Sequence, residues 1–254
     1  MSRNLLQNIA GLWSPSLGPS GYTLLDRSGR GNHGALTNMD SSDWVMRNGL
    51  PALDLDGSDD YVDAGTKSLP ITSAVTLSMW ANFSAMTAST FYTFFSFGGF
   101  IANGWLFQRT NTDVLRFAWN GDNFLNGPAF TTANALTHLC VTAVGQSIVF
   151  YVDSIATTGV RGLGSANFAA SGAQAINIGR RADSATQYTA GAVFEVALWP
   201  LVLTSTQIRQ LFTLGAGGLG RLAIQGPPRH AYKAAGVKTY LFINRNSIIG
   251  GGTI

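Results

Sequence analysis

Nine consecutive residues, Val75 to Phe83, place Val75, Leu77, Met79, Ala81 and Phe83 at every second position. A period of two is the signature of a strand with one face buried. Further short apolar runs follow the same rule: Leu53–Asp56, Tyr61–Ala64, Thr93–Phe97, Gly104–Arg109, Val114–Trp119, Leu139–Val144, Ser147–Val152, Ala175–Ile178 and Ala190–Trp199. Gly, Asn, Asp and Ser punctuate them. Many short strands without alternating helices predict a sandwich or barrel. Between two of the runs, Gly145-Gln146 is a two-residue hairpin turn, with Gly where a positive φ is wanted. The thirty glycines follow no repeat, which excludes collagen.

One helix is predicted, near Thr206–Thr213. Thr204-Ser205-Thr206-Gln207 matches a capping box, Ile208, Leu211 and Phe212 share a face, and Gly215 ends the run. From there the chain becomes glycine- and proline-rich, with Gly217, Gly218, Gly220 and Gly226-Pro227-Pro228, before a strand-like run Thr239–Ile243. The expected organisation is therefore an N-terminal segment 1–10, a domain 11–214 and an extended arm 215–254.

Charged residues make up 11% of the chain, against a usual share of roughly 25%. So little charge beside so many apolar residues excludes a disordered polyelectrolyte. No apolar run approaches the ~18 residues of a membrane helix, so no membrane insertion is expected. Met1–Leu6 carries one Arg and no long apolar run, so no secretory leader is expected. A lone cysteine, Cys140, permits no internal disulfide and is expected in the core. Acids concentrate in the first half. Residues 215–254 carry Arg221, Arg229, Lys233, Lys238 and Arg245 and no acid. There is no dense basic run of the kind that marks a nucleic-acid footprint; an acidic protein surface suits the arm at least as well.

Several segments, taken in order, resemble the laminin-G-like (concanavalin A-like) jelly-roll family. Asp26-Arg27-Ser28-Gly29-Arg30-Gly31-Asn32-His33-Gly34 is similar to an early loop of that family. Leu53-Asp54-Leu55-Asp56-Gly57-Ser58-Asp59-Asp60-Tyr61-Val62 is similar to its Asp-Asp turn. Thr76–Trp80, Thr137–Thr142, Phe150–Ser154, Ile176–Gly179 and Phe194–Trp199 with the capped helix continue the series. The resemblance spans roughly residues 11–214. It implies an all-β, two-sheet antiparallel jelly-roll sandwich. The tail, with Pro227-Pro228-Arg229-His230 and Tyr240-Leu241-Phe242, looks like the ends of jelly-roll proteins of tailed phages.

The same resemblance implies one Ca²⁺ where the early loop meets the closing strand, with Asp26, Asn32, Asp60 and Glu195 as matching positions. Phe194 stands where the family has Asp, which lowers the charge of such a site. The plain alternative is that these side chains cap turns. Related glucanases carry an E-x-D-x-E strand. This chain has a single glutamate, Glu195, so no catalytic carboxylate pair is expected. Of six tryptophans, Trp13, Trp80 and Trp199 match core positions, leaving Trp44, Trp105 and Trp119 as candidates to stack on sugar rings.

The resulting expectation is a non-enzymatic virion structural protein, a capsid decoration or a tail or fibre component. Its arm, through Arg221, Arg229, Lys233, Tyr240, Phe242 and Arg245, would anchor it to virion subunits or copies of itself by strand addition. The alternatives are an extracellular or virion-borne carbohydrate-binding module that recognises cell-surface glycans and, third, a glycan hydrolase.

Overall fold

The computed structural model describes residues 5–84, 87, 90–100 and 103–225. Within them the first strands are β1 (Gly11–Trp13), β2 (Thr23–Leu24), β3 (Gly34–Thr37), β4 (Trp44–Arg47), β5 (Leu50–Asp56) and β6 (Tyr61–Ser68). The middle of the chain supplies β7 (Ala74–Phe83), β8 (Tyr92–Phe97), β9 (Trp105–Arg109), β10 (Val114–Trp119), β11 (Asn123–Ala129) and β12 (Leu136–Val144). The last are β13 (Ser147–Val152), β14 (Ile155–Thr158), β15 (Val160–Leu163), β16 (Ala173–Ile178) and β17 (Ala190–Trp199), followed by α1 (Ser205–Leu214) and α2 (Gly218–Gln225).

The strands form the expected antiparallel sandwich. One sheet runs β14-β13-β12-β7-β17-β5-β4, with β1 also paired to β17. The other runs β15-β11-β10-β9-β8-β16-β6-β3-β2. β17 changes partner midway. Its first half, Ala190–Val193, pairs β5, and Val196–Leu198 pairs β1, with a register shift between Val193 and Glu195. The chain crosses from one sheet to the other at Gly159, between β14 and β15. A Cβ there would press on the Phe150 ring and Leu125.

Aromatic side chains fill the space between the sheets. Trp105 stacks on Phe95 at 5.2 Å and on Phe117 at 5.4 Å between centroids. A register shift between Thr93 and Phe95 turns both Phe94 and Phe95 into this core. Each such side chain contributes roughly 1.5–3 kcal/mol by leaving water.

The outer face of the eight-stranded sheet is covered as well. Leu5, Ile9, Cys140, Trp199, Ile208, Leu211 and Leu219 form a second apolar cluster on it. Phe212 of α1 stacks on Trp80 at 5.7 Å. Burial pushes the Cys140 thiol pKa up. α1 has the predicted capping box, with Thr204 and Gln207 bonded reciprocally and Gly215 at φ 74°.

Two expectations are corrected here. A second helix, α2, follows the first. Its glycines read as a linker in sequence, yet they serve contact: a Cβ on Gly220 would collide with Ser14 Oγ. The arm therefore does not begin at residue 215. Leu219 is buried and the compact unit extends to Ile224. Arg221, expected in the arm, lies on α2 and donates to the Ala216 carbonyl at 3.2 Å. Arg229, Lys233, Tyr240, Phe242 and Arg245 lie outside the described residues.

Candidate functional site

The four residues proposed for calcium do not form one site. The Asp26 carboxylate is saturated by backbone and hydroxyl donors: Leu12 N at 3.0 Å, Ser28 N at 2.8 Å, Ser28 Oγ at 2.8 Å and Asn32 N at 2.9 Å. Asn32 Nδ2 donates to the Ala10 carbonyl. This is a loop clasp that joins the early loop to β1, and it leaves few lone pairs for a hard cation that wants roughly six to eight oxygens. Asp26→Ala is expected to cost about 2 kcal/mol of stability with or without calcium, measured by chemical denaturation. Asp60 belongs elsewhere, with Asp56 and Asp59; among the described residues this is the group of three carboxylates whose oxygens lie within 4.8 Å of one another. Asp56 Oδ1 there accepts three backbone N–H groups, which makes it a turn cap. Burial pushes the Asp60 carboxyl up to about 6, against a bond from Asp56 N and reinforced by the neighbouring acids.

Glu195 is the last of the four. Its Oε2 accepts from Ser14 Oγ at 3.1 Å and from Gly220 N at 2.7 Å, beneath α2. Burial drives its pKa up to about 7, opposed by those bonds and by Arg221. A carboxyl held near neutrality is what a general acid needs. This one is sealed between β1, β17 and α2, with 5% of its surface exposed, and substrate has no path to it.

The tryptophan expectation is also revised. Trp105 and Trp119 are fully buried in the central core and touch no solvent. The strand period puts their side chains on the same face as Phe107 and Phe117, and that face is the inner one. Trp44 is half-buried, packs against the core and donates to the Gly21 carbonyl at 3.3 Å.

The polar chemistry gathers on the outer face of the nine-stranded sheet, the side that carries neither helix. Cross-strand register aligns Phe124, Ala118, Leu106, Ser96, Asn177 and Asp63 from β11 to β6. A parallel row holds Asn126, Arg116, Gln108 and Thr93. Arg116 lies 3.9 Å from the Phe124 ring centre and its Nε donates to Asn126 Oδ1 at 2.9 Å. At the β16–β6 end, the Arg180 guanidinium sits 3.8 Å over the Tyr61 ring, and Tyr188 lies 6.3 Å from Tyr61. Arg180 Nη2 donates to Asn177 Oδ1 at 3.4 Å, and Asn177 Nδ2 donates to Asp63 Oδ1 at 3.3 Å. The Arg180 carbonyl accepts from Ser96 Oγ at 2.9 Å, which fixes the backbone beneath the side chain. Thr93, Ser96, Leu106, Gln108, Ala118 and Asn177 of these rows are buried and support the others from beneath, whereas Tyr61, Arg180 and Tyr188 are half-buried. A guanidinium and phenol rings fixed side by side suit the hydroxyls and ring faces of a sugar.

No helix among the described residues is long and apolar enough to cross a membrane. No curated protein matches the chain in sequence. Among solved structures, it is similar to domain 4 of an extracellular GH43 arabinanase from Geobacillus stearothermophilus, solved with arabinotriose. That match has a TM-score of 0.58 and 15% identity over 80% of this chain and 98% of that domain. It is similar to the receptor-binding domain of a botulinum neurotoxin C/D mosaic serotype, with TM-score 0.58 and 13% identity over 83% of this chain and 52% of that one. A Trypanosoma rangeli sialidase matches with TM-score 0.56 and 15% identity over 82% of this chain, which spans 32% of the sialidase. At such identities these likenesses establish the fold. The sequence profile Laminin_G_3 matches residues 56–209, more than half of the chain. The register, the sandwich and this match agree: the chain belongs to the Laminin_G_3 family of the concanavalin A-like lectin/glucanases superfamily.

Proposed function

We propose that this chain is a carbohydrate-binding module that holds a glycan on the outer face of its nine-stranded sheet, without hydrolysing it. The observation that carries the reading is the half-buried Arg180–Tyr61 stack, braced from beneath by buried Asn177 and its partner Asp63, on a face that neither helix occupies. The arabinanase domain of similar fold, solved with arabinotriose, supports it. Hydrolysis needs two carboxyl groups flanking the scissile bond. On this face Asp63 is bonded to Gly65 N and Asn177, and Asp183 is paired with Arg181 at 2.6 Å. The test is a glycan array followed by titration calorimetry. Tyr61→Ala is expected to weaken binding about tenfold with the fold intact, the worth of one aromatic contact. An array on which no glycan binds sinks the reading.

A second reading, a structural subunit such as a virion component, draws on the β14–β15 edge. Ile155 and Val160 are 71% exposed and Leu163 is 52% exposed on these two edge strands. Edge strands are ordinarily guarded by outward charge. Arg161, the one charged residue of this edge, is turned back onto Gln146 and the Gly164 carbonyl. Such an edge suits strand addition between copies of the chain. Val160→Lys is expected to convert any oligomer seen by light scattering to monomer; a wild-type monomer at all concentrations removes this support.

A further inference from the structure

We infer that the glycan bound on this face carries a carboxylate, as a uronate or sialate does, and that Arg180 is the residue that receives it; this rests on the carbohydrate-binding reading above. A guanidinium has five N–H donors. Within the described residues Arg180 directs one of them to a protein acceptor, Asn177 Oδ1, and at the long distance of 3.4 Å. Its Nε is buried with no acceptor and lies out of a ligand's reach, whereas Nη1 is not buried and is bonded to nothing among the described residues. The neighbouring Arg181 shows the contrast, since both its Nε and Nη2 are bonded to Asp183, at 2.6 and 2.7 Å. Arg180 forms no ion pair among the described residues.

The group is nevertheless held in place. The Tyr61 ring lies beneath it, Asn177 accepts from its Nη2, and Ser96 pins its carbonyl. With Nε closed off, the terminal Nη1 and Nη2 are the pair that can take a planar oxyanion through two parallel hydrogen bonds. The nearby acid does not fill this role: Asp63 makes no ion pair with Arg180, and its Oδ1 is bonded to Gly65 N at 2.8 Å and to Asn177 Nδ2. Tyr188, beside Tyr61, offers a further ring against which the sugar body can lie. Arg116, also without an ion pair among the described residues, stands on β10, three strands from the β16 that leads into Arg180, about 14 Å at the usual strand spacing. Its charge adds to a field that favours an anionic chain.

The experiment uses the full chain on an array holding uronate-, sialate- and sulfate-bearing glycans beside neutral ones. The strongest carboxylated ligand is then titrated as the free acid and as its methyl ester. The expected result is binding to carboxylated glycans, with affinity reduced about 10- to 100-fold by esterification, the worth of a charge-assisted hydrogen bond. Arg180→Gln is expected to reproduce that loss, and Arg180→Lys to recover little of it, because the ammonium lacks the fork. Esterification probes the native protein, so a folding defect in a variant cannot imitate the result. Binding to neutral or sulfated glycans alone, or equal affinity for acid and ester, overturns the inference and leaves the carbohydrate-binding reading standing. Failure to bind any glycan ends both.

Discussion

Trp105→Ala is expected to lower stability by about 3–5 kcal/mol. Trp105 is fully buried and lies between Phe95 and Phe117, with Phe97 at 6.2 Å. Truncation opens a cavity that these rings can close only in part, because they also pack on Trp13, Trp119 and Phe168. At this chain length the midpoint of thermal unfolding should fall by roughly 10 °C. Trp105→Phe is a sharper probe. It keeps most of the ring and removes an indole N–H that is buried with no acceptor. Its cost should therefore stay below about 2 kcal/mol. Urea denaturation of the three proteins checks both figures. A Trp105→Ala protein as stable as the wild type would show that the ring is not in the core. Selective loss of glycan binding with full stability would return Trp105 to the list of ligand contacts.

Trp105 also shows where sequence reading stops. The alternation in Val114–Trp119 separates Leu115, Phe117 and Trp119 from Val114, Arg116 and Ala118, and the structure keeps that division. Period two sorts side chains into two faces, but it does not say which face meets the other sheet. Counting aromatics as ligand contacts put Trp105 and Trp119 on the wrong side. Within β16, Asn177 sits between buried Ile176 and Ile178, so its different face was readable. Its pairing with Asp63, 114 positions away, depends on the sheet order and was not. Arg180 over Tyr61 is the same kind of long-range product. Local signals fared better. The hairpin at Gly145, at φ 56°, and the Thr204–Gln207 capping box depend on neighbours within a few residues, and both are present. α2 escaped because Gly218 and Gly220 have poor helix propensity, and tertiary contact with Ser14 and Glu195 overrides it.

That contact leads to the second large effect. Glu195→Gln is expected to gain stability relative to the wild type as pH rises, by about 3 kcal/mol between pH 4.5 and pH 8. The Glu195 pKa is pushed up to about 7 in the folded protein by burial, from 4.5. The folded state therefore holds a proton that the unfolded chain releases. The neutral form's stability is fully present below pH 4.5 and is lost as pH rises through about 7. Above that, the protein carries a buried carboxylate, eased by Ser14 Oγ, the Gly220 amide and the charge of Arg221. Glutamine keeps an oxygen for Gly220 N and has no proton to lose. The wild-type profile alone conceals the effect. His138, buried beside Trp80 and bonded to Ser78 Oγ, is drawn down to about 4 by desolvation. Its contribution runs the other way, with stability rising between about pH 4 and 6.5, so the two titrations offset each other below neutrality. Because His138 is common to both proteins, the difference between wild type and Glu195→Gln isolates Glu195. Denaturant melts at half-unit steps should show a gap that widens through the range up to about pH 7 and then levels off. A gap that does not change with pH would mean that Glu195 titrates normally and that α2 does not seal it.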